Sequence, residues 1–186
     1  MTQLNIGTVV GSIRKASINA RIADALERLA PPSVAFHRIR IDDLPLYNQD
    51  LDNPPVAEVH RLRQEVRSAD GIIFVTPEYN RSIPGVLKNA IDHASRPHRE
   101  GAWVGKPAGV IGATPGALGT APAQQHLRNV LACLGMPTLA QPDAFIHVDE
   151  GFFSAEGLVA RGADRDFLTR WMAHYVEWVR KHAPAR

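Results

Sequence analysis

Two short stretches carry side chains of types that could hold a small ligand, the first an anionic group and the second a flat ring. Residues 11–19 read Gly11-Ser12-Ile13-Arg14-Lys15-Ala16-Ser17-Ile18-Asn19. The glycine permits a tight chain exit, Ser12, Ser17 and Asn19 are short hydrogen-bonding groups, and Arg14 offers a planar fork of donors. If such a run opens a helix, its unpaired N–H groups and positive dipole end complete a phosphate socket. The same residues also satisfy a plainer description, a Ser or Asn helix cap beside a solvated arginine. The second stretch is Pro77-Glu78-Tyr79-Asn80-Arg81-Ser82-Ile83-Pro84-Gly85. Its backbone donors and acceptors can read the edge of a flat heteroaromatic ring that Tyr79 flanks, and a turn leading into a helix describes it equally well. A third run, residues 113–119, is made of small residues that let backbone approach a ligand closely.

Strands and helices must hold these runs. Leu4–Val10 is short, apolar and β-branched and stops at Gly11, as a buried parallel strand does. Ile18, Ile22, Leu26 and Leu29 form one helical stripe that Pro31-Pro32 ends. Residues 34–41 alternate apolar and polar, with a phase slip between Phe36 and Ile39 that suits an edge strand. A second amphipathic helix carries Val59, Leu62, Val66 and Ala69, with Arg and Glu expected on its wet face. Residues 71–76 then read as a strand buried on both faces.

Pro84 opens a third helix, followed by Val86, Leu87, Ala90, Ile91 and Ala94. A fourth strand is expected over 107–112, and a helix with Leu127, Leu131 and Leu134 closes at Gly135. A fifth strand lies within 136–148, interrupted by Pro142, and Phe167 to Val179 mark the last helix. Alternation of this kind predicts an α/β fold, a doubly wound five-stranded parallel sheet in the order 2-1-3-4-5 with helices on both faces. Ligands of such sheets bind beyond the C-terminal strand ends. The three chemically equipped runs all leave such ends.

Competing motifs fail. No GxGxxG follows the first strand, and residues 101–106 are one residue too short for a P-loop and run into Pro107. A mononucleotide remains. With 186 residues, 45% hydrophobic, a single domain over 1–186 is expected, burying about 70% of its unfolded surface. Lys and Arg number 21 against 19 acidic residues, a balance of +2 without a basic patch, which argues against nucleic acid as a partner. No span approaches the roughly 20 apolar residues that cross a bilayer, so no membrane partner is expected. The lone Cys133 has no partner for a disulfide, and the expectation is a cytoplasmic protein.

GSIRKASIN after the first strand, TPEYNRSIPGVLKNAID after the third and GKPAGVIG with its small-residue loop together resemble the NAD(P)H-dependent FMN reductase family. That family includes flavodoxin-like quinone and chromate reductases, and the resemblance runs from residue 4 to about 135. It implies that Ser12, Arg14, Ser17, Ile18 and Asn19 hold the FMN phosphate. It implies likewise that Pro77, Glu78, Tyr79, Asn80, Arg81 and Ser82 line the isoalloxazine, with Thr114 closing the site. NADPH or NADH would be the electron donor, and a small-molecule acceptor such as a quinone, flavin, azo compound or chromate would follow in ping-pong order, the chemistry being carried by the cofactor with no catalytic side chain. The resemblance also implies a homodimer or homotetramer.

Three positions depart from the family pattern: Arg81 replaces an aromatic or small residue, and Thr120 and Pro122 stand where chromate-reducing members carry Gly and Arg. A flavodoxin-type electron carrier is the alternative, although the acidic surface usual for one is missing. Among other residues, His93, Arg96 and His98 read as a solvated helix end. His147, Asp149 and Glu150 read as polar surface with no metal, Cys133 as packing, and Trp171, Tyr175 and Trp178 as a core or subunit-contact stripe.

Overall fold

The computed structural model describes residues 3–183. Strands β1 (Leu4–Val10), β2 (Val34–Arg38), β3 (Gly71–Val75), β4 (Ala108–Thr114) and β5 (Phe145–His147) alternate with helices α1 (Ile18–Leu29), α2 (Ala57–Ser68), α3 (Gly85–Ala94), α4 (Ala121–Cys133) and α5 (Gly162–His182). The sheet order is β2-β1-β3-β4-β5, every pair parallel, as the alternation predicts. All five residues of β3 are buried, because helices cover both faces of the central strand. Ile6, Ile73 and Val75 face Ile22, Leu26, Trp171 and Tyr175 of α1 and α5. Val9, Ile72 and Phe74 belong to the opposite core with Leu62, Leu87 and Leu127 of α2, α3 and α4.

The edge strand is shorter than its pattern suggests. Pairing with β1 ends at Arg38, and only the Ile39 amide reaches further, to the Thr8 carbonyl at 3.0 Å. The phase slip has a physical meaning. Val34 and Phe36 pack under α1 and α5, whereas Ile39 and Ile41 cross into the other core. β4 starts one residue later than expected and runs two residues further, to Thr114. β5 holds three residues, with an isolated bridge from Thr138 to Ala108 on the other side of Pro142. A 3-10 turn, Gln49–Leu51, was not foreseen.

α5 packs its aromatic stripe onto two glycines. The Trp171 and Tyr175 rings stack 5.7 Å apart, and a Cβ built on Gly109 would stand 2.7 Å from Tyr175 Cδ2. Trp171 and Tyr175 are core and Trp178 is half-buried against them. The Tyr175 hydroxyl is buried without a hydrogen-bond partner, and burial pushes its ionisation well above the ordinary tyrosine range. Tyr175→Phe removes that orphaned group while keeping the stack, and raises stability by about 1 kcal/mol in urea unfolding. A loss of stability would show that the hydroxyl has a partner after all.

Three side chains sit differently from their sequence expectations. Cys133 is exposed, since it lies about 200° round the helix from buried Leu131. His93 is 5% exposed, its ring edge-on to Tyr47 at 5.3 Å with Nε2 2.9 Å from the Pro45 carbonyl. It is a packed residue, and only the following segment, with exposed His98, is a solvated end. On α2, Arg63 turns inward instead of joining the wet face, and its Nε donates to the His93 carbonyl at 3.1 Å.

Candidate functional site

The loops after β1, β3 and β4 meet because the strand ends are pinned to one another. Gly11 N–H donates to the Val75 carbonyl at 2.9 Å, and Thr76 N–H to the Ile111 carbonyl at 2.9 Å. The space at Gly11 is tight, since a Cβ would lie 3.1 Å from Leu87 Cδ2 and 3.3 Å from Thr76 Oγ1. One large exposed apolar side chain belongs to each loop: Ile13, Tyr79 and Leu118.

The cap of the plainer description is present, and it leaves donors free. Ser17 caps α1, its Oγ accepting from Ala20 N–H at 3.1 Å, which leaves its hydroxyl hydrogen available to an anion. The Ile18 and Asn19 amides, in the first turn, have no helical carbonyl to bond. No acidic residue stands in that turn, so the positive end of α1 is uncompensated. Arg14 is exposed and forms no ion pair among the described residues, and Ser12 is half-buried beside it. A phosphate fits this donor set. Asn19 is buried and serves a further purpose: its Nδ2 donates to the Ala113 carbonyl and its Oδ1 accepts from Ala113 N–H, each at 2.9 Å. It tethers the helix start to the end of β4 like one more rung of a ladder, with one Nδ2 hydrogen left over.

The second loop is a hairpin. Tyr79 and Ser82 exchange both backbone hydrogen bonds, at 2.9 and 3.0 Å, across Asn80 and Arg81 with φ of 52° and 67°. Two successive left-handed residues are the requirement of a type I′ turn. Arg81, which has a Cβ, is strained there, and its Nη1 lies 3.6 Å from Glu78 Oε1. Arg81→Gly keeps the turn, loses a long ion pair whose arginine is exposed and whose worth is small, and stabilises the FMN-free protein by about 1 kcal/mol in urea titration.

The hairpin is fastened to the start of α4. Glu78 Oε2 accepts from Ala123 N–H at 3.2 Å, and Ser82 Oγ lies 2.7 Å from His126 Nδ1. Pro77 is half-buried, with its carbonyl accepting from Thr76 Oγ1 at 2.8 Å, and Tyr79 is 47% exposed. The hairpin presents a rim of amide groups and one exposed aromatic side chain, an arrangement a flat ring would fit. Thr114 ends β4 half-buried, its Oγ1 accepting from Gly116 N–H at 3.2 Å.

Two residues beside these loops, Gln124 and His126, were not singled out by the sequence reading. Thr120 precedes α4 at φ 71° and is fully buried, and Gln124 Nε2 donates both to Thr120 Oγ1 and to the Ala144 carbonyl. His126 reaches Ser82 from one turn into the helix. The i, i+4 spacing of Thr120 and Gln124 is a usable local signal, whereas nothing local announces His126. Cavities flank the first loop on either side. One of about 200 Å³ lies between Ser12, Ile13, Arg14 and the Arg38 to Asp42 segment, and one of about 470 Å³ is walled by Ile18, Arg21, Pro115 and Phe153.

A family model described as NADPH-dependent FMN reductase matches residues 4–151. A 2-hydroxy-1,4-benzoquinone reductase of Burkholderia sp is 46% identical over 177 residues, covering 95% of this chain and 97% of the relative. A quinone reductase of Pseudomonas putida is 42% identical, covering 95% of each. Among solved structures, FerB, a flavoenzyme NAD(P)H:(acceptor) oxidoreductase from Paracoccus denitrificans, superposes with a TM-score of 0.93 at 39% identity, covering 97% of this chain and all of that one.

Proposed function

The chain belongs to the NADPH-dependent FMN reductase family, and from that premise we propose that residues 1–186 form one FMN-binding domain that passes electrons from NAD(P)H to a quinone. It is an FMN-dependent NAD(P)H oxidoreductase with a flavodoxin-like fold. FMN supplies the hydride-accepting and electron-donating chemistry. The chain supplies the grip. Arg14, Ser12, the Ser17 hydroxyl and the amides of Ile18 and Asn19 hold the phosphate against the positive end of α1. Pro77, Glu78, Tyr79, Asn80, Arg81 and Ser82 line the ring, and Thr114 closes the site from β4.

The observation that carries this reading is the coexistence of Arg14, which forms no ion pair among the described residues, at a helix start without acidic residues, with a hairpin of amide edges pinned to α4. Donor and acceptor occupy the same open face in turn, which imposes ping-pong order. Quinone is the favoured acceptor because relatives sharing 42 to 46% of their residues with this chain carry that activity in their names. Among the described residues no helix is long and apolar enough to cross a membrane. The single exposed thiol suits a reducing cytoplasm, and the half-exposed Tyr79 suits a homodimer or homotetramer that adds cover.

The test is an anaerobic acceptor screen on purified protein with NADH and NADPH, preceded by a visible spectrum. A yellow protein giving parallel double-reciprocal lines with a quinone is expected. A colourless protein that takes up no FMN overturns the assignment. NADPH turnover that appears only with an added partner reductase would instead identify an electron carrier.

A further inference from the structure

Arg81 is held at a conformational cost. It is the second of two left-handed residues at the hairpin tip, with φ of 67°, a backbone conformation that glycine adopts freely and a residue with a Cβ resists. Its side chain is 69% exposed, and among the described residues no hydrogen bond engages its guanidinium. The carboxylate beside it, Glu78 Oε1 at 3.6 Å from Nη1, is beyond hydrogen-bond reach. Glu78 is drawn the other way, its Oε2 accepting from Ala123 N–H at 3.2 Å at the positive end of α4. Strain held without a local contact points to a functional constraint.

Charge at the strand ends is uneven. The loop after β1 carries Arg14 and Lys15, the hairpin carries Glu78 and Arg81, and residues 114–120 carry none. A phosphate group with a charge of roughly −1.5 to −2 balances the first pair. With FMN held as proposed above, Arg81 is the cation left beside the ring. We propose that Arg81 is a specificity-determining residue for the electron acceptor, favouring a quinone that carries a negative charge next to a ring carbonyl, an inference that rests on the FMN-dependent reading of the three loops. An ionised hydroxyl beside a carbonyl sets two oxygens side by side in the plane of the ring. The planar fork of a guanidinium meets such a pair with parallel N–H donors, and its charge strengthens both. A neutral quinone of the same outline offers one uncharged carbonyl in that place, a weaker acceptor.

The test compares 2-hydroxy-1,4-naphthoquinone, ionised at neutral pH, with 2-methyl-1,4-naphthoquinone, its neutral counterpart of similar size, and with anthraquinone-2-sulfonate, whose charge is not beside a carbonyl. Every protein carries Cys133→Ser, which removes the exposed thiol that quinones alkylate. Dissociation constants are read by isothermal calorimetry on the oxidised holoenzyme without nicotinamide, where nothing turns over, and reoxidation rates of the photoreduced holoenzyme follow. Asparagine accepts the left-handed turn without a charge, so in Arg81→Asn the preference for the hydroxyquinone over the methylquinone falls about fivefold in both measurements. Arg81→Lys, which keeps charge and strain, recovers part of that preference. A parallel fall for the sulfonate identifies charge alone as the feature read, a fall confined to the hydroxyquinone identifies the paired oxygens, and either supports the proposal. Should Arg81→Asn not fold, Arg81→Gly takes its place. An unchanged preference in the uncharged variant, or a lysine variant as indifferent as asparagine, overturns the inference alone, whereas a wild type that holds no FMN overturns the assignment above and this inference with it.

Discussion

Alanine at Gly112 lowers the unfolding free energy by about 3 kcal/mol, and it does so at the centre of the site. The added methyl overlaps Thr120 Oγ1 and the Thr76 carbonyl oxygen. Neither can retreat cheaply. Thr120 is buried in a left-handed conformation and held by Gln124, while the Thr76 carbonyl is backbone beside a strand end already bonded to Ile111. Relief comes only by moving β4 away from β3, which separates the hairpin from the Thr114 loop, so FMN affinity falls with stability. Urea unfolding and FMN fluorescence titration read the two losses. Adding Thr120→Gly restores part of the stability, because glycine adopts that conformation without strain and removes one overlapped atom. Wild-type stability in Gly112→Ala alone would mean that the strand ends are far looser than these contacts describe.

Arg14→Ala has a different signature. It weakens FMN binding by about 1.5 to 3 kcal/mol, roughly tenfold to 150-fold in Kd, the ordinary worth of a charged hydrogen bond. Stability of the FMN-free protein changes by no more than about 0.5 kcal/mol, because Arg14 is exposed and holds no other group in place. Arg14→Lys recovers part of the affinity, restoring the charge without the fork. An unchanged dissociation constant in the alanine variant reassigns Arg14 to ordinary solvent-facing surface.

The sheet was readable because its central strands are continuous apolar runs and its helices keep clean stripes. β5 was not, since its ladder is made in two pieces on either side of Pro142 and no single run carries the pattern. The odd spacing from Phe36 to Ile39 was visible as a slip, but its cause, a change of core from one sheet face to the other, needed three dimensions. Arg63 shows a second limit. Amphipathic counting assigns an arginine to water, and what brings it inside is a carbonyl 30 residues away on another helix. Within the candidate site, residue types pointed to three loops that the fold brings to one end of the sheet. They did not disclose that Asn19 would be occupied with Ala113, 94 positions further on, or that α4 would fasten the hairpin through Ala123 and His126.

The Asn19 rung ties the first loop to the end of β4, and the Glu78 and Ser82 links tie the hairpin to α4, by bonds that involve no ligand. A receptacle made in this way need not be gathered round its guest. Little backbone freedom is surrendered on docking, so the contact energy goes into residence time, and capture proceeds at a pace governed by encounter and not by rearrangement.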